Sequence, residues 1–260
     1  MMNDYKIPFR NRIVNIAANV RTHSDQWLVF LHGLGCTKAA FDTAFAAKEL
    51  EDFSLCAFDF LGFGDSDAPN DLSYELNDQA EILIALINQL SIKKVHLVAH
   101  SMGGAIGLLA TEKLPELVSF INVEGNLLNE DCGIVSRKIA TQKEEDFIRT
   151  GFHEFVQSLE ATKQDDLLHW AKWCREGSPI AFHRSACSLV TWSDSGNLFS
   201  IFQAIQNKAY IRGEENLQLY LQPHLDGWHS YVIPASGHFM MLENARSFYT
   251  SIAHWLKQSK

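Results

Sequence analysis

Cysteine is scarce in this sequence and follows no recognisable pattern: Cys36, Cys56, Cys132, Cys174 and Cys187 are odd in number and include no C-x-x-C spacing. That argues against a disulfide-stapled secreted fold and against a thiolate zinc or redox site. Buried, reduced thiols in a cytoplasmic protein are the expectation. Positive charge is also in the minority, with 22 Lys and Arg against 31 Asp and Glu, a net charge of −9. No basic stripe is present to displace counterions from phosphates, so nucleic acid is not an expected partner. Long apolar runs are missing too. The longest, Ile82 to Ile87, falls far short of the ~20 residues needed to span a bilayer and fits part of a buried helix. The opening residues Met1-Met2-Asn3-Asp4-Tyr5-Lys6 lack the apolar centre of a secretory signal. There is no internal repeat and no low-complexity segment. What remains is an ordinary globular composition, 47% hydrophobic and 20% charged over 260 residues. A chain of that length buries roughly 70–75% of its unfolded surface without help from disulfides or metals. It fits one large domain, or a domain carrying an insertion.

Short strand-like runs alternate with helical ones along the first half. Trp27-Leu28-Val29-Phe30-Leu31 is a continuous apolar run ending at His32-Gly33, as expected of a strand buried on both faces. Lys38 to Leu50 reads as a helix with Phe41, Phe45 and Leu50 on its inner side, and Leu55 to Phe58 as a second buried strand. From Leu76 to Leu90, apolar residues recur at steps of three and four, giving a one-faced helix. Val95 to Ala99 and Val118 to Val123 are further strands, separated by a helix from about Gly103 to Leu114. This alternation implies parallel strands joined by right-handed crossovers, hence an α/β sheet with helices on both faces. Gly125 to Asn207 interrupts the rhythm with helical spacings and aromatics at Trp170, Trp173, Phe182 and Trp192. We read 125–207 as a helical cap insertion in a core made of 1–124 and 208–260. Strands at Ala209 to Ile211 and Ser230 to Ile233, then an amphipathic helix through Phe248, Ile252, Trp255 and Leu256, resume the pattern. Ile7 to Val20 reads as an antiparallel edge hairpin.

The segment with most chemical content is Ala99-His100-Ser101-Met102-Gly103-Gly104, which follows a buried strand and opens a helix. A nucleophile on a sharp strand-to-helix turn needs small residues two positions to either side, here Ala99 and Gly103, a variant of G-x-S-x-G. The turn lifts the Ser101 hydroxyl above the carboxyl edge of the sheet and sets it beside a helix N-terminus. A helix-capping serine is the plainer alternative. His32-Gly33-Leu34-Gly35 and Asp59-Phe60-Leu61-Gly62-Phe63-Gly64-Asp65-Ser66 also follow strands directly. The second is not a dinucleotide fingerprint, since the third glycine is missing and no helix starts there. It reads as a structural turn.

With these segments and Gly237-His238, the chain resembles the α/β-hydrolase fold family, from about Ile13 to Leu256 outside the insertion. The resemblance implies a mostly parallel sheet flanked by helices, with a helical cap. It implies Ser101 as nucleophile, His238 as base, and the backbone N–H groups of Leu34 and Met102 as an oxyanion hole. Histidine titrates near neutral pH, which suits it to take a serine proton and return it to the leaving group. His32, His96 and His100 read as structural or pocket-lining. The family's usual acid position falls in Gly213-Glu214-Glu215-Asn216, where Asn216 occupies the expected place. A neutral amide orients an imidazole but balances no charge. Two carboxylates are candidates. Glu124 ends a buried strand just before Gly125, a strand end where haloalkane dehalogenases similarly carry a carboxylate. Glu215, or its neighbour Glu214, would need a local shift. Glu124 is the favoured acid and Glu215 the alternative.

The resemblance implies a serine hydrolase acting on a small or medium acyl ester through an acyl-enzyme, carboxylesterase-like, with a small-molecule substrate and neither metal nor organic cofactor. A serine at the nucleophile position argues against dehalogenase and epoxide-hydrolase chemistry. A C–C bond hydrolase or cofactor-free lyase using the same triad is a second reading, one that would want a basic cap residue such as Arg137, Arg149, Arg175 or Arg184 for a substrate carboxylate. A low-turnover small-molecule receptor is a third, made conceivable by Asn216. The sequence leaves the physiological substrate and the oligomeric state undefined.

Overall fold

The run Trp27 to Leu31 forms the strand β3 (Gln26–Leu31), and its side chains divide between two cores. Leu28 and Phe30 pack on one side of the sheet, Val29 and Leu31 on the other. The computed structural model describes residues 2–225 and 227–258; Met1, Asp226, Ser259 and Lys260, part of the expected core segments, lie outside the described residues. β1 (Met2–Phe9) and β2 (Arg12–Arg21) make the antiparallel hairpin anticipated at the edge, longer at both ends than the apolar pattern indicated. β4 (Ser54–Phe58), β5 (Lys94–His100), β6 (Leu117–Val123), β7 (Lys208–Gly213) and β8 (His229–Ile233) complete one sheet of order β1-β2-β4-β3-β5-β6-β7-β8. β2 runs antiparallel to β4, and every pairing from β4 through β8 is parallel. The α/β class with a mostly parallel sheet is therefore as expected.

Helices cover both faces. α1 (Leu76–Gln89) and α2 (Met102–Ala110) bury Leu83, Leu86, Ile106 and Leu108 on one face. On the other, the last long helix buries Phe248, Ile252, Trp255 and Leu256. Each large aliphatic or aromatic side chain so buried contributes about 1.5–3 kcal/mol. Between β6 and β7 the described residues hold helices and no strand: α3 (Gly133–Ala140), α4 (Glu144–Asp146), α5 (Phe152–Ala161), α6 (Asp165–Arg175), α7 (Pro179–Asp194) and α8 (Asn197–Ala204). After β7 come the short α9 (Gln222–Leu225) and α10 (Met240–Glu243), then α11 (Ala245–Gln258). No helix among the described residues is long and apolar enough to cross a membrane.

Two local expectations need correction. Lys38 to Leu50 is a pair of 3₁₀ segments, Lys38–Ala46 and Lys48–Leu50, rather than an α-helix. The three-residue period buries Phe41 together with Ala44, and Phe41 leaves helical geometry at φ −114°. The helix expected to reach Leu114 stops at Ala110 and tightens into a 3₁₀ turn, Thr111–Lys113.

Candidate active site

Parallel strands bring their carboxyl ends to one edge, and the nominated residues gather there. Ser101 sits between β5 and α2 at φ +53°, a left-handed conformation that non-glycine residues adopt at a cost of about 1–3 kcal/mol. The turn is held from both sides. The Ser101 N–H donates to the Val123 carbonyl at 3.1 Å, and its own carbonyl accepts from Gly104 at 2.8 Å. The small residues after it are sterically required. A Cβ on Gly103 would lie 2.5 Å from the Leu31 carbonyl oxygen, and one on Gly104 would lie 2.6 Å from Gly125 Cα. The Ser101 turn thus packs directly on the backbone that follows β6.

Glu124 is the first residue beyond β6 and also has positive φ, +45°. Its side chain is 1% exposed, and each of its oxygens is engaged. Oε1 accepts from the Gly213 N–H at 2.8 Å; Oε2 accepts from Asn216 Nδ2 at 2.7 Å and lies 2.7 Å from His238 Nδ1. His238 follows β8 and is 39% exposed at the side chain, so one edge of its ring is free to reach the cavity while the other meets a sealed carboxylate. Glu215 is exposed and donates its backbone N–H to Ser236; Glu214 accepts from the Ala235 N–H at 2.9 Å. Among the described residues neither carboxylate bonds to His238.

Ser101 and His238 line a cavity of about 200 Å³ with Gly33, Leu34, Asp131 and Trp170. Leu34 reaches it from the loop after β3, and Met102, fully buried, opens α2. Among the described residues neither backbone N–H has a protein acceptor. Trp170 of α6 donates its indole N–H to the Leu34 carbonyl at 2.9 Å, tying the helices after β6 to this loop. A larger groove of about 850 Å³ opens between α1 and α8, but it contains none of these residues. Of the nominated groups, Ser101, His238 and Leu34 line the smaller cavity.

His100 stacks 4.5 Å from the His238 ring, and its Nε2–H donates to the His238 carbonyl at 2.9 Å. Burial, together with the neighbouring His238, drives it well below the usual histidine range, so it is neutral. His32, pushed down to about 4 by burial, donates from Nδ1 to the Gly33 carbonyl and accepts the Phe60 N–H at Nε2. It pins the end of β3 to the Asp59 turn. In that turn Asp59 accepts from the Lys38 backbone and ammonium, both at 2.6 Å, which makes it structural. The described residues include no cluster of three or more His, Cys, Asp or Glu able to hold a metal.

Sequence reasoning did not single out Asp131. It lines the cavity from the short turn Asn129–Cys132, and burial raises its carboxyl above the usual range. Tyr220 O–H donates to its Oδ1 at 2.5 Å, and the Leu127 and Leu128 N–H groups donate to Oδ2 at 2.8 Å. Nor did the sequence reveal Asn216 as a donor to Glu124. Neither contact has a local signal, because the partners come from distant parts of the chain.

The comparisons agree with this architecture. A family model described as the alpha/beta hydrolase fold matches residues 26–159, more than half of the chain. The chain belongs to the α/β-hydrolase fold family. It is 34% identical over 110 residues to "Putative esterase/lipase 2" of Mycoplasma pneumoniae, covering 42% of this chain and 41% of that protein. The match therefore spans less than half of that relative's length. Among solved structures, the N-acyl homoserine lactonase AidH complexed with N-butanoyl homoserine superposes with a TM-score of 0.79 at 18% identity, covering 100% of this chain and 97% of that one. A thermophilic esterase from Thermogutta terrifontis gives 0.76 at 16%, covering 100% and 99%. Likeness at that identity establishes the fold alone.

Proposed function

We propose that this protein is a serine esterase acting on small or medium acyl esters, with Ser101, His238 and Glu124 as its triad. The observation that carries the reading is the 2.7 Å contact between His238 Nδ1 and Glu124 Oε2, in a base that lines the same cavity as Ser101. Ser101 Oγ attacks the ester carbonyl while His238 Nε2 takes its proton. The oxyanion rests on the Leu34 and Met102 N–H groups; losing one such donor costs about 3–4 kcal/mol. The tetrahedral species collapses, the alkoxide leaves with the proton from His238, and an acyl-serine remains. Water, deprotonated by the same imidazole, attacks that acyl group; the carboxylic acid departs and Ser101 regains its proton. Glu124 holds the ring and balances the imidazolium charge in both halves.

In this reading residues 125–207 form a cap over the core of 1–124 and 208–260, with Val135, Ser136 and Trp170 contributing walls to the cavity. The ester reading is supported over C–C hydrolysis by the basic residues of that segment. Arg137, Arg149, Arg175 and Arg184 pair with Asp194, Asp146, Glu160 and Glu144, and none lines the cavity to receive a substrate carboxylate. It is supported over a receptor by Asn216, whose amide serves a carboxylate instead of replacing one. Five free cysteines fit a cytoplasmic protein.

The test is hydrolysis of p-nitrophenyl esters from acetate to decanoate, with Ser101→Ala as control. Sustained turnover that disappears in the variant is the expected result. Turnover that survives in Ser101→Ala overturns the assignment. Labelling of Ser101 by a fluorophosphonate without turnover would leave an activated serine and remove the esterase claim.

A further inference from the structure

We propose that Asp131 makes the cavity charge-selective, so that it accepts acyl chains with a neutral or cationic end and rejects those ending in a carboxylate. This specificity rests on the serine-esterase reading of Ser101. Three observations carry it. Asp131 lines the same cavity as Ser101 and His238. Its carboxyl is met by three donors, the Tyr220 O–H and the Leu127 and Leu128 N–H groups, the pattern that serves an ionised group, which only accepts hydrogen bonds. No permanent cation beside it lines the cavity: among the described lining residues there is neither Lys nor Arg.

The second carboxylate of the region, Glu124, has its counter-charge built in once His238 is protonated. Asp131 has none. Its donors are neutral and disperse the charge without cancelling it. An incoming carboxylate entering this partly apolar cavity would lose part of its water and meet a fixed negative charge. A methyl-terminated chain of the same length escapes that penalty, and an ammonium is drawn in. The chemical class left out is the hemiester of a dicarboxylic acid, and with it any substrate needing a carboxylate anchor near Ser101.

Three p-nitrophenyl esters of matched chain length test this: the hexanoate, the adipate hemiester and the ε-aminocaproate. They share a leaving group, so kcat/KM ratios within one protein report charge alone. The wild type is expected to prefer hexanoate over the adipate hemiester by on the order of ten-fold or more, with the ε-aminocaproate at least equal to hexanoate. Asp131→Asn keeps a side chain able to satisfy Tyr220 and the two N–H groups. It is expected to shrink the hexanoate-to-adipate ratio by about ten-fold, the effect of one charge–charge contact at moderate range. Tyr220→Phe loosens the same turn but keeps the charge, and should preserve the ratio. Equal turnover of hexanoate and adipate by the wild type overturns the proposal without any variant. So does a ratio unchanged in Asp131→Asn, or one that shrinks as much in Tyr220→Phe. Hydrolysis that persists in Ser101→Ala would instead overturn the esterase reading, and with it the basis of this one.

Discussion

Asn216 Nδ2 and His238 Nδ1 converge on a single oxygen of Glu124, each at 2.7 Å. The amide at the family's usual acid position is a donor to the carboxylate on the neighbouring strand end. Asn216→Ala removes a hydrogen bond to a charged group, an interaction worth about 1.5–3 kcal/mol. Part of that loss is expected as a roughly ten-fold lower kcat, with KM little changed. Asn216→Asp places a second carboxylate beside the first, which raises the pKa of the pair. The ionised acid that steadies the imidazolium then exists only at higher pH, so the acidic limb of the kcat–pH profile should move upward. An unmoved limb would show that residue 216 does not touch the acid.

Glu124→Gln keeps the shape of the side chain but removes its charge. In triads of this kind loss of the acid's charge lowers kcat by about 10⁴-fold. Glu215→Gln, at an exposed site, should leave kcat near wild type. Comparable kcat values for Glu124→Gln and wild type would remove Glu124 from the triad.

Gly104→Ala would press a methyl group into Gly125 Cα, where the free distance is 2.6 Å. Backbone cannot step aside as a flexible side chain does, so overpacking should cost about 1–3 kcal/mol. For a chain of this size each kcal/mol corresponds to about 2–4 °C in Tm. A thermal melt at the wild-type Tm would show that the two segments separate freely.

His32 and His96 are both held down to about 4 by burial. Their folded pKa values lie below the unfolded value of about 6.5, so the unfolded chain binds more protons in between. Their neutral forms are fully accommodated above pH ~6.5, and stability falls as pH drops from there toward ~4, by up to about 1.4 kcal/mol per pH unit for each ring. His96 bonds to Ser119 and Gln26 rather than to the active site. His96→Gln should therefore flatten the Tm–pH slope in that window, and an unchanged slope would exclude His96 as a contributor.

The parts legible in the sequence were those encoded locally. The β3, β5 and β6 runs are mostly apolar because helices cover both faces, and Ala99 and Gly103 announce the tight turn after β5. Glu124 is legible because a carboxylate ending a buried strand requires partners, and the fold supplies Gly213 and Asn216. Other features were hidden for definite reasons. The 3₁₀ geometry after Lys38 differs from an α-helix by a period of three against 3.6, too little to read over a dozen residues. Tyr220 and Asp131 are 89 residues apart in sequence, and Asn216 and Glu124 are 92 apart. Such pairings are fixed by sheet order and loop packing, which leave no periodic trace.

Cys36, Cys56, Cys132 and Cys174 are buried, and Cys187 is only partly so. Cys36 and Cys132 are also walls of the small cavity, and Cys174 of α6 donates its thiol to the Gly35 carbonyl beside it at 3.5 Å. The folded chain thus offers a bulky thiol reagent one partly accessible sulfur. Separating the helices after β6 from the sheet would uncover three more. The number of thiols consumed against time therefore serves as a built-in gauge of how often these helices lift from the sheet edge, read with no label and no substrate.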